Sequence, residues 1–129
     1  MFIVSGSTMP SPFLNNVLDD LQAKSADIVL AALIASDGMI VASSLPDHQN
    51  RERIGTIAAA ILALGARATH ELDCGKLQQM MVGGKHGNLL IMPAGPETML
   101  VTAIRINANL DFVIKDVSRA AQEAERLLC

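Results

Sequence analysis

The sequence predicts one domain of the α/β class, an α+β sandwich built on a mainly antiparallel five-stranded sheet. The chain of 129 residues is long enough for one hydrophobic core and too short for two. Short apolar runs separated by turn-forming residues are typical of strands, and two pairs of them form hairpin patterns. Three other segments carry apolar residues at helical spacing. We therefore expect the element order α-β-β-α-β-β-β-α.

The first third of the chain predicts a helix followed by a hairpin. Ser11 is typical of a helix cap and opens a helix over residues 12–24, whose first residue is proline. Residues 28–35 are a continuous apolar run, as in a strand that is covered on both faces. The pair Asp37-Gly38 separates this run from a short second strand at 39–43, and such a pair predicts a hairpin turn.

The rest of the chain predicts a long helix, three strands and a last helix. Asp47 is a plausible cap for the long helix and Asn109 for the last one. The first, fourth and fifth strands are the most apolar and belong in the middle of the sheet, with the second and third at its edges and helices on both faces. The long helix covers residues 49–72, the last three strands cover 76–82, 88–92 and 98–106, and the last helix covers 110–128.

Residues 1–11 predict a flexible arm rather than a signal peptide, because their apolar start carries no basic residue. Residues 12–129 form the single domain. No apolar run reaches the length of a membrane span. Cys74 and Cys129 stand far apart and outside any metal-binding spacing, which favours a reducing, cytoplasmic setting.

The composition argues against nucleic-acid binding and against catalysis. The net charge is −3 and the only aromatic residues are three phenylalanines, whereas a base-stacking surface needs aromatic rings in a basic groove. His48, His70 and His86 have no partner at metal-ligand spacing. The glycine-rich segment 83–87 leads into a strand and lacks the features of a P-loop. We expect no catalytic residue, no metal and no cofactor.

The most informative segment is 53–70, a helix-length stretch that is apolar almost all the way round. A surface helix normally carries one apolar stripe, and one protein layer covers only one face. We expect the second, smaller stripe to contact another polypeptide, since small residues let a second backbone approach closely. The alternative is that alanine is present as the best helix former. The first stripe is Ile54, Ile57, Ile61, Leu64 and Ala68, and the second is Gly55, Ala59, Leu62, Ala63 and Ala66.

The order of these elements resembles the Roadblock/dynein-light-chain domain family. The similarity rests on the segment ASDGMIVAS at 35–43 and on the Ala-rich helix that ends LGARATHEL at 64–72, together with the following strands and the last helix. It covers about residues 14–128, and no single motif is specific. The chain looks most like the prokaryotic branch that regulates Ras-like GTPases. The resemblance implies one helix on one face of the sheet and two on the other.

The resemblance also implies a homodimer in which the second helices lie antiparallel and the third strands pair into one sheet. Pairing would remove the open edge that the third strand otherwise leaves. A Ras-like small GTPase is the implied partner, with this chain as activator or scaffold. Regulators of this kind organise the catalytic residues of the GTPase, so no arginine finger is required.

The residues expected at the dimer interface are Gly55, Ala59, Leu62, Ala63, Ala66, Lys76, Gln78 and Met80. Those expected at the GTPase are Ala59, Ala63, Arg67 and His70. Use of the whole small stripe by the homodimer alone is an equal alternative. A different function class is a small-molecule sensor, with a cavity against the sheet lined by Met80, Met81, Met92 and Met99. A small hydrolase or transferase ranks last.

Overall fold

The computed structural model describes residues 12–44 and 48–128. Over these residues the chain forms helices and strands in the predicted order. The predicted caps Ser11 and Asp47, the arm at 1–11 and Cys129 lie outside the described residues. The helices are α1 (Pro12–Lys24), α2 (His48–Glu71) and α3 (Leu110–Leu128), and the strands are β1 (Ile28–Ala35), β2 (Ile40–Ser43), β3 (Met80–Gly84), β4 (Gly87–Pro93) and β5 (Thr98–Arg105).

The five strands form one antiparallel sheet in the order β2-β1-β5-β4-β3. Strand β5 is central, with β1 on one side and β4 on the other. Val101 of β5 pairs with Ala32 and with Ile91, so that apolar side chains form a row across the sheet. The prediction that the most apolar strands occupy the middle and that β2 and β3 form the edges is confirmed.

Each central strand buries side chains on both faces of the sheet, because successive residues point to opposite faces. Leu100 and Ile104 of β5 pack with α1 and α3. Met99 and Val101 of the same strand pack with α2. One helix therefore covers one face and two helices cover the other, which confirms the arrangement that the resemblance implies.

Two predicted local signals are confirmed in detail. The carboxylate Oδ1 of Asp37 accepts a hydrogen bond from the backbone N–H of Met39 at 3.0 Å, and Gly38 closes the β1–β2 turn with a φ of 92°. At the start of α3, Oδ1 of Asn109 accepts a hydrogen bond from the backbone N–H of Phe112 at 3.4 Å. This side chain is the N-cap of the helix.

Strand β3 is shifted relative to the prediction. It begins at Met80 rather than at residue 76, and the preceding residues are used to reverse the chain after α2. Asp73 and Gly75 take part in this reversal with φ angles of 58° and 87°. At its other end the ladder continues to the pair Gly84–Gly87, so the predicted five-residue turn contracts to two residues.

Candidate interaction surface

The inward side of α2 is narrow and takes residues from both predicted stripes. Ala58 is buried where the helix meets the sheet, and Ile54, Ile61 and Leu62 are partly buried around it. Ile54 and Ile61 belong to the first stripe, whereas Leu62 belongs to the second. The boundary between covered and exposed residues is therefore rotated around the helix from the predicted position.

Gly55 is buried against the first hairpin of its own chain. A Cβ atom added at Gly55 would overlap the backbone carbonyl oxygen of Gly38. The sequence pattern predicts that another polypeptide approaches here, whereas the backbone that approaches Gly55 is the β1–β2 turn of its own chain. The expectation that Gly55 belongs to a dimer interface is corrected by this contact, because the residue faces inward.

The largest exposed apolar side chains of α2 are Ile57 and Leu64, at 51% and 69% exposure. They are seven residues apart, which places them on one side of the helix. Ile57 also borders a cavity of about 170 Å³ between α2 and the sheet. We call Ile57, Leu64 and this cavity the apolar flank. The strand residues that line the cavity are Leu30, Ala31, Ala32, Leu89, Val101 and Ala103.

The sequence pattern placed Ile57 and Leu64 in the first stripe, beneath the helix, and so missed their exposure. The only sequence signal for this exposure was that apolar residues extend almost all the way round the helix. Because a helix presents only one side to a sheet, some of these residues remain uncovered.

Small side chains lie on the remaining part of the predicted second stripe. Ala63 and Ala66 are exposed, whereas Ala59 is partly buried and packs against the core beneath α2. We call these three alanines the small flank. Of the two alanines predicted to contact the GTPase, Ala63 is exposed and Ala59 is only partly accessible.

Arg67 and His70 are both exposed towards the C-terminal end of α2. Nε of Arg67 lies 3.6 Å from a carboxylate oxygen of Glu71. An exposed ion pair of this kind contributes little to stability. The fold therefore restrains the Arg67 side chain only weakly.

Strand β3 is an edge of the sheet that lies beside α2. It pairs with β4, and the described part of the chain has no strand on its other side. The thioether of Met80 packs against Gly65, so the C-terminal half of α2 passes over this edge. Lys76 and Gln78 are exposed and precede the strand rather than lying within it.

The four methionines predicted to line a ligand cavity do not share one. Met92 is buried in the core beneath α1 and α3, whereas Met80 and Met99 pack on the α2 face. Met81 is exposed and points away from Met80, because neighbouring residues of a strand face opposite sides. The sensor reading in its predicted form is therefore wrong.

Among residues 12–44 and 48–128, no group of three or more His, Cys, Asp or Glu residues is placed to hold a metal ion. No helix there is long and apolar enough to pass through a bilayer. The exposed apolar side chains of α2 and the β3 edge make this surface the candidate functional site.

A comparison with known families decides the identity of this fold. The family model described as the Roadblock/LC7 domain matches residues 14–103. The chain belongs to the Roadblock/LC7 family. The matched segment begins in α1 and ends in β5, so it includes both flanks of α2 and the β3 edge.

Relatives of this Roadblock/LC7 domain agree with the assignment. Uncharacterized protein MJ1340 of Methanocaldococcus jannaschii is 31% identical over 114 residues, which are 88% of this chain and 98% of the relative. A Roadblock/LC7 domain from Streptomyces avermitilis has a TM-score of 0.83 at 18% identity, covering 88% of this chain and 96% of that one. MglB, solved in a tetrameric arrangement, has a TM-score of 0.81 at 22% identity, covering 92% and 91%. At these identities the two structures share the fold.

Proposed function

We propose that this Roadblock/LC7 domain is a non-catalytic, dimeric regulator of a Ras-like small GTPase, as an activator or a scaffold. The observation that carries the proposal is the exposure of Ile57 and Leu64 on a helix that passes over β3, a sheet edge with no further strand among the described residues. Proteins that act alone seldom leave such apolar surface uncovered. The sequence resemblance to the GTPase-regulating branch of the family supports the kind of partner. The tetrameric arrangement of MglB supports self-association.

A homodimer would cover the apolar flank and the β3 edge together. The edge presents unpaired backbone N–H and C=O groups, which a second β3 would satisfy in a continuous sheet. Because α2 passes over this edge, a second chain added there brings its own α2 alongside. Leu64 and Ile57 then pack between the two helices. Lys76, Gln78 and Met80 would lie along or near the strand seam.

Molar mass from light scattering tests this dimer. Leu64→Asp is expected to halve the mass, because a carboxylate buried in an apolar seam has lost its hydration without gaining a partner. Ala23→Asp adds the same charge at an exposed position of α1, away from α2 and β3, and it should keep the wild-type mass. A wild-type monomer would contradict the proposal.

The same measurement decides which flank of α2 forms the seam. If Ala63→Arg halves the mass and Leu64→Asp does not, the small flank joins the two chains, as the sequence pattern predicts. Ala59 and Ala66 would then belong to the same contact, with Leu62 behind it. If Leu64→Asp halves the mass and Ala63→Arg does not, the small flank remains free for a partner.

The small flank is proposed to bind the GTPase, since it stays accessible when the apolar flank lies in the dimer. Ala63 has no atoms beyond Cβ and lets a partner backbone approach closely. Arg67 and His70 adjoin it as a polar rim, which is the usual surrounding of an apolar contact. The domain would position catalytic groups that the GTPase itself supplies.

Charge reversal at Arg67 tests this surface with a Ras-like GTPase from the same genome. Arg67→Glu is expected to weaken binding about tenfold, as is common for a charged residue at an interface. Lys115→Glu makes the same charge change on α3 and should bind like the wild type. Equal affinities for all three proteins would remove Arg67 from the site.

The rate of GTP hydrolysis at a saturating concentration of the domain separates the two modes of action. An activator raises the rate, whereas a scaffold binds and leaves it unchanged. Failure of the wild type to bind any Ras-like GTPase of that genome would contradict the proposed function.

A further inference from the structure

The helices α1 and α3 each carry one exposed aromatic side chain. The chain has three phenylalanines and no other aromatic residue. The two in the described residues, Phe13 and Phe112, are 67% and 66% exposed. Aromatic side chains contribute much of the apolar area of cores and interfaces. A protein with so few of them that leaves both outside its core has surface suited to a partner.

A groove of about 580 Å³ lies between α1 and α3, and Phe13 stands on its border. Val17, Leu21 and Ala120 form an apolar floor, and alanine at the last position leaves depth for an inserted side chain. The charged residues of the groove are three acids and three bases, which are Asp20, Lys24, Asp116, Arg119, Glu123 and Arg126. The groove is thus neutral in sum, which disfavours a strongly acidic or strongly basic occupant.

The two bases that α3 contributes to the groove already have acidic partners within the helix. Arg119 lies 3.9 Å from Asp116. Nε of Arg126 donates a hydrogen bond to Oε2 of Glu123 at 3.1 Å, and this bond lowers the pKa of the Glu123 carboxyl. Lys24, on α1, forms no ion pair within the described residues. It is the base of the groove that remains available to an occupant.

The groove side of α1 is a stripe that starts at Phe13 and ends at Lys24, with Val17 and Asp20 between them. Its spacing of i, i+4, i+7 and i+11 keeps all four on one side of the helix. An aromatic ring at one end and a free ammonium group at the other make this stripe complementary to an antiparallel copy of itself. Such a twofold contact forms both ring–ammonium pairs at once.

We propose that the α1–α3 groove is a second self-association surface and that its occupant is α1 of another copy of this chain. Each Phe13 ring enters the groove of the other copy and packs beside its Lys24. The contact lies on the face of the sheet opposite α2. It can therefore form whether or not the α2–β3 dimer exists, and two such dimers joined through both of their grooves would make a closed tetramer.

Sedimentation equilibrium over a range of concentrations tests the groove. The wild type is expected to reach a species twice the mass of the α2–β3 dimer. Phe13→Asp is expected to raise the dissociation constant of the groove contact roughly thirtyfold, as for a central aromatic residue of an interface. Ala23→Asp adds the same charge to an exposed position of α1 outside the groove, and should assemble like the wild type.

Lys24 provides a second test that leaves the apolar contact intact. Lys24→Met should weaken the groove contact, whereas Lys24→Arg should retain it, because a guanidinium also pairs with an aromatic face. Circular dichroism checks that each variant folds.

Combination with Leu64→Asp separates this proposal from the α2–β3 dimer. The single Leu64→Asp variant should remain a dimer through the groove, and the double variant with Phe13→Asp should be a monomer. A wild type that never exceeds a dimer and keeps its mass in Phe13→Asp would overturn the proposal. A tetramer unaffected by Phe13→Asp would overturn it as well.

Discussion

Replacing Leu100 by alanine is expected to lower the free energy of unfolding by about 3–5 kcal/mol. Leu100 is fully buried in the central strand β5 and packs in the core beneath α1 and α3. Its truncation removes buried methyl groups and leaves a cavity that neighbouring strands cannot close, because β1 and β4 hold β5 on both sides. Urea denaturation followed by far-ultraviolet circular dichroism measures the loss.

Leu72→Ala is the matched control, because it makes the same substitution at a side chain that is 74% exposed just after α2. Its effect should stay within about 0.5 kcal/mol. Both variants are compared with the wild type at one protein concentration, since association adds to apparent stability. A similar loss in the two variants would contradict the placement of β5 at the centre of the core.

Gly55→Ala is expected to destabilise the protein by about 1–3 kcal/mol, the usual range for overpacking. On helix propensity alone the change should stabilise α2 by about 1 kcal/mol. The opposite sign is expected because the new methyl group would overlap the carbonyl oxygen of Gly38. This oxygen belongs to a turn that is held by hydrogen bonds from the Gly38 N–H to the Ala35 carbonyl and from the Met39 N–H to Oδ1 of Asp37, so the backbone cannot shift freely.

Gly65→Ala, in the same helix, is the control for this prediction. The atoms that its methyl group would meet belong to the thioether of Met80. A methionine side chain can rotate away at small cost, so the gain in helix propensity should offset most of the strain. Thermal unfolding compares the two variants. A Gly55→Ala protein that is more stable than the wild type would show that the carbonyl oxygen of Gly38 leaves room for a methyl group at position 55.

Most of the fold follows from patterns that are local in the sequence. The run at 28–35, the turn at Asp37-Gly38 and the cap at Asn109 each depend on a few neighbouring residues, and the structure confirms all three. The start of β3 was predicted too early, because the segment KLQQMMV at 76–82 mixes polar and apolar residues as an edge strand does. Whether such residues pair in the sheet depends on where the preceding helix ends and how the chain reverses after it.

The candidate site was predicted less well than the fold. The sequence pointed to α2 and β3, and the exposed Ala63, Ala66, Arg67 and His70 remain in the proposal. The sequence pattern predicted that Gly55 faces a partner and that Ile57 and Leu64 lie between α2 and the sheet. The two stripes of α2 are similarly apolar, so periodicity alone could not tell which one faces the sheet.

The sequence by itself determined the order of the elements, the central position of the apolar strands and the presence of a helix with more apolar surface than one sheet covers. These properties depend on residue periodicity and turn chemistry, which act over a few positions. Only the tertiary structure decided how α2 is rotated on the sheet. That rotation is set by contacts distant in the chain, the Gly38 turn against Gly55 and Met80 against Gly65, and it leaves Ile57 and Leu64 facing outwards.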